Sequence, residues 1–72
     1  MSQAEEMMAR IRRRVAMMSP SDLMSWADTA TYGIQRHLDD FRRTQDPANL
    51  AEIRLAAITM EAMCDALEKS LN

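Results

Sequence analysis

Residues 47–71 read PANLAEIRLAAITMEAMCDALEKSL. Within them Leu50, Ile53, Ala57, Met60, Cys64, Leu67 and Leu71 recur at alternating spacings of three and four. That is the pattern of a helix with a coiled-coil seam. A second set, Leu55, Ile58, Ala62 and Ala66, recurs at spacings of three, four and four. At about 100° per residue the two sets fall on nearly opposite sides of one helix. A helix with two apolar faces is sandwiched. Either two other helices of the chain flank it in a flat layer, or the second set meets another chain. The second option is the expectation, with Leu55, Ile58, Ala62 and Ala66 as the self-association residues of a homodimer.

Working outward, each helix has its own start signal. Asp46-Pro47 places a capping side chain before a proline at the first helical position. Ser19-Pro20-Ser21-Asp22 repeats that logic, with Asp22 near the positive end of the helix dipole. Ser2-Gln3-Ala4-Glu5 is a capping box. The expectation is one all-α domain over residues 1–72, with helices at about 3–18, 20–43 and 47–70. Such short connections make neighbours antiparallel, so helices 2 and 3 form a long antiparallel hairpin in a dimeric helical bundle. Helix 1 carries a stripe through Ala4, Met8, Ile11, Val15 and Met18, widened by Met7. Helix 2 carries Leu23, Ala27, Ala30, Ile34, Leu38 and Phe41 on one face, with Trp26, Gly33 and His37 along its edge. Gly33 costs such a helix about 1 kcal/mol relative to Ala, and reads as a place of close helix approach.

Size makes the dimer attractive. Folding 72 residues buries roughly 7,300 Å², worth about 105 kcal/mol if somewhat over half is apolar. Ordering the chain costs about 108 kcal/mol. A lone monomer is therefore marginal. One cysteine cannot form an internal disulfide, and one His with one Cys cannot supply a four-ligand structural metal site. Neither cofactor nor metal is expected. With one Gly, two Pro and 4% aromatics, the composition is helix-forming. A net charge of −2 exerts no global pull toward nucleic acid or membrane. No apolar run approaches the ~20 residues of a membrane span, the N-terminal residues do not read as a signal peptide, and the cytoplasm is the expected location.

Enzymatic chemistry is hard to assemble from these residues. In a hairpin turning near residue 45, His37 lies about 12 Å from the turn and Cys64 about 28 Å, too far apart to cooperate within one chain. Glu5-Glu6 and Asp39-Asp40 are sequence neighbours that point about 100° apart, so neither is an acid/base pair. Binding features are better represented. Eight methionines are present, five of them clustered near the helix 1–2 corner. Met is adaptable and common on binding surfaces. Met17, Met24 and Trp26, with Tyr32 and Arg36, form the candidate docking surface for a larger protein. Arg10, Arg12, Arg13 and Arg14 point around much of helix 1, and Arg10, Arg13 and Arg14 are the candidate nucleic-acid contacts. Arg54-Leu55-Ala56 followed by Thr59-Met60 and Asp65 resembles a stretch of the Hha/YmoA family of small helical nucleoid-associated modulators. That likeness spans about a quarter of the chain, lacks the family's aromatic residues and C-terminal tail, and only colours the nucleic-acid alternative.

The function expected is therefore non-enzymatic: a small helical interaction protein, adaptor or inhibitor in type, that binds and modulates a larger protein. Accessory proteins of phages and mobile elements share this profile of size and composition. The alternatives are a nucleic-acid-associated regulator using the helix 1 arginines, and a structural assembly subunit.

Overall fold

A computed structural model describes residues 2–71. It is all-α, with α1 (Gln3–Ala16), α2 (Pro20–Thr44) and α3 (Pro47–Ser70). Each start is built from the expected cap. Glu5 N–H donates to Ser2 Oγ at 3.1 Å, and Asp22 N–H donates to Ser19 Oγ at 3.2 Å. Ala48 N–H donates to Asp46 Oδ1 at 2.9 Å, with Pro47 opening the helix behind it. These side chains satisfy amides that have no partner inside their own helix.

Helix 1 stops two residues before the expected boundary. Ser19 adopts an extended conformation to cap α2. The chain must leave the helix ahead of it, and Met17 and Met18 close α1 by donating to Arg14 and Val15 carbonyls. The α2–α3 joint is shorter still. Gln45, the C-cap of α2, sits in the left-handed region at φ 57° and ψ 26°, and its N–H donates to Phe41 O at 2.8 Å.

A polar cluster ties this joint. Thr44 Oγ1 donates to Asp40 O at 2.9 Å and accepts from Asp46 N–H at 3.3 Å. Asn49 Nδ2 donates to the same hydroxyl at 3.4 Å, which turns its Oδ1 toward His37. His37 Nδ1 donates to that oxygen at 3.1 Å. The contact links His37, two turns before the end of α2, to Asn49 in the first turn of α3.

The apolar core lies toward the far ends of the same two helices. Val15, Leu23, Ala62 and Met63 are its buried members, with one from α1, one from α2 and two from α3. Around them pack Ile11, Met18, Trp26, Ala27, Ala30, Met60, Ala66 and Leu67. Only the C-terminal half of the α1 stripe takes part. Ala4 is exposed and Met7 is 43% exposed. Arg12 adds an ion pair to Asp65 of α3 at 3.3 Å, and Arg14 stacks over the Trp26 ring, 4.6 Å from its centroid.

The result is an open shape. The radius of gyration is 13.4 Å, against about 11 Å for a compact chain of this length. The Cα extents are 43 × 30 × 14 Å. The accessible surface is 5536 Å², against about 4,500 Å² for a compact protein of this mass.

Three expectations are revised. Ala62 is buried and Ala66 packs on the core, so half of the supposed self-association stripe is already used inside the chain. Leu55 and Ile58 remain partly exposed. The three-four seam is also broken: Ala57, Cys64 and Leu71 are exposed, while Ile53, Met60 and Leu67 are partly covered. An α-helix drifts by about 20° per heptad from a strict seven-residue repeat, and the α3 face that meets the other helices runs through Asn49, Ala56 and Met63 instead. Finally, a Cβ built on Gly33 meets nothing within 4 Å. The glycine permits no close approach inside this chain.

Candidate interaction surfaces

The first candidate surface comes apart on the helix. Met24 and Trp26 are two residues apart in α2 and so project about 160° apart. Trp26 is partly buried under Arg14 and against the core, whereas Met24 is 56% exposed. Tyr32, 68% exposed, and Arg36 are one turn apart on the outer side of α2. Met17, at 88% the most exposed large apolar residue, stands at the α1–α2 corner. The five residues therefore form a scatter: four exposed positions, and a partly buried Trp26 that faces the other helices. Their helical spacing carried this information, because a separation of two never shares a face.

The arginines behave in the opposite way. Arg10, Arg13 and Arg14 stand at i, i+3 and i+4, which places them within an arc of about 100°. All are exposed, and Arg12 points elsewhere, to Asp65. They make a narrow basic stripe instead of a ring of charge. Arg14 is committed in part to Trp26.

His37 and Cys64 do not meet. The Asn49 that His37 contacts lies fifteen residues before Cys64 on α3, about 22 Å along the helix. Among the described residues, no group of three or more His, Cys, Asp or Glu side chains is placed to hold a metal ion. No described helix is long and apolar enough to cross a membrane.

Two concave surfaces were not anticipated. One, at the far end of α2 and α3, has a floor of Val15, Leu23 and Ala62 and a rim that includes Arg12, Asp65 and Lys69. The other is a shallow groove between α2 and α3, lined by Trp26, Thr29, Ala30, Ala56 and Thr59. Gly33 lies one turn beyond Thr29 and Ala30 on the same side of α2. Small residues lining adjacent helices were the available signal. On α2 that signal includes Gly33, read from the sequence as a place of close helix approach; on α3 it is Ala56 and Thr59.

Compared with family models, with curated proteins and with solved structures, the chain matches none. The short likeness to the Hha/YmoA stretch gains no support there.

Proposed function

We propose that this chain is a non-enzymatic interaction protein that works as a homodimer and binds and modulates a larger protein. The monomer unit is a single domain built on an antiparallel α2–α3 hairpin. The observation that carries this reading is the accessible surface, which exceeds that of a compact chain of the same mass by about 1,000 Å². A standard protein–protein interface takes about 800 Å² from each partner. Among the described residues only four are fully buried, with eight partly buried ones around them, so added burial contributes directly to stability.

With the inner surfaces assigned to self-association, Met17, Met24 and Tyr32 are left as bulky apolar side chains on outward positions. Such residues suit anchor positions for a second protein. Photo-crosslinkers placed singly at Met17, Met24, Tyr32 and Arg36 test this in cells. The reading expects one discrete adduct heavier than a dimer, the same from neighbouring positions. Adducts no heavier than a dimer from all four would remove the larger partner.

The arginine arc supports a second reading as a nucleic-acid-associated regulator. It expects a duplex shift that weakens steeply with salt and is lost in Arg10→Ala/Arg13→Ala/Arg14→Ala. Absence of a shift near physiological salt would remove it.

A further inference from the structure

We infer that the groove between α2 and α3 is filled by the N-terminal half of α1 from a second copy of this chain. The inference rests on the dimer proposed above and specifies how it is made.

Two unfinished contacts in the monomer lead to it. The α1 stripe runs unbroken through Ala4, Met8, Ile11, Val15 and Met18, yet only Ile11, Val15 and Met18 reach the core. In its first half Ala4 and the flanking Met7, 43% exposed, face solvent, and Met8 is half-buried without reaching the core cluster. The groove is the complementary deficit. Its Trp26, Thr29, Ala30, Ala56 and Thr59 line a trough whose Trp26 end is covered by Arg14 and whose remainder is open. A third helix of a closed bundle would run along such a trough, and α1 engages only the far end of the pair.

Dimensions agree. Residues 3–10 of α1 and residues 26–33 of α2, which run from the groove's Trp26 to Gly33 one turn beyond its lining, are eight-residue stretches that each rise about 12 Å. Gly33 completes the argument. It costs α2 about 1 kcal/mol relative to Ala, and no neighbour within its own chain requires it. A helix arriving from outside, close to the backbone, gives it a purpose.

The occupant is a second copy because both halves of the contact reside on the same chain. In a two-fold dimer each copy lends its α1 and receives its partner's, so both deficits close at once. The chain as a whole exposes about 1,000 Å² more than a compact protein of its mass, enough to supply the ~800 Å² that a standard interface takes from each partner.

Gly33 also supplies the test. A Cβ there meets nothing within 4 Å, so Gly33→Leu is expected to obstruct an incoming helix while the monomer keeps its fold. Helicity by circular dichroism should be kept, while the dimer dissociation constant rises about tenfold or more. Met7→Glu, on the other half of the contact, should do the same. A third measurement mixes two single-cysteine proteins, Met7→Cys and Gly33→Cys, each also carrying Cys64→Ser. On oxidation the 7–33 adduct should exceed the 7–7 and 33–33 adducts. A dimer that keeps its affinity in both blocking variants, with no excess of the 7–33 adduct, overturns this interface and leaves the dimer itself standing. A full-length protein that is monomeric at every concentration overturns both.

Discussion

The two ends of the α2–α3 pair are held by different physics. At the joint, Thr44, Asp46, Asn49 and His37 form a local polar cluster, and caps and turn residues lie within a few positions of one another. At the far end, Val15, Leu23, Ala62 and Met63 come together from three helices and are separated by long stretches of chain. The joint needs no other part of the molecule to define it. The far end exists only because α1 folds back, and α1 does so with half its stripe. Order at the joint is set by nearby residues, whereas burial at the far end depends on contacts across the length of the chain.

Substitutions at each end sharpen that contrast. The largest effect is expected at the far end. Met63 is 1% exposed and is the largest fully buried side chain. Met63→Ala should cost roughly 2–5 kcal/mol, measured by urea unfolding, a large share of what a four-residue core supplies. A loss under 1 kcal/mol would mean that the far end is not the stabilising region. Next comes Ser19→Ala, which frees the amide of Asp22 and should cost about 1 kcal/mol.

At the joint, Gln45 occupies the left-handed region without being glycine. Gln45→Gly should raise stability by about 0.5–1 kcal/mol, visible as a higher urea midpoint. A loss would show that the Gln45 side chain is itself part of the joint. The smallest effect belongs to Arg12→Ala. Its ion pair with Asp65 is about half exposed on both sides, so unfolding should shift by no more than about 0.5 kcal/mol. A larger loss would mean that α1 is held by charge more than by Val15.

The same contrast explains what could be read from the residues alone. Ser2, Ser19-Pro20 and Asp46-Pro47 act through neighbours two or three positions away, so three helices and their starts were legible. The end of α1 was missed by two residues because Ser19 takes priority as the cap of α2. Which face of α3 meets α1 was not legible. Both of its apolar sets satisfy the same spacing rule, and the choice is made by how α1 crosses, with Arg14 on Trp26 and Arg12 on Asp65. What approaches Gly33 was not legible for a similar reason, since a glycine in a helix does not reveal which neighbour approaches it. Of the interaction surfaces, the grouping of Arg10, Arg13 and Arg14 and the separation of Met24 from Trp26 followed from helical arithmetic. The groove did not, because it depends on where α1 is absent.

Absolute mass by light scattering over a dilution series, paired with thermal melts at the same concentrations, tests the central claim most directly. The account predicts twice 8.2 kDa at high concentration and a melting temperature that falls on dilution, because association and folding are linked. A mass of 8.2 kDa throughout, with a melting temperature independent of concentration, would contradict it.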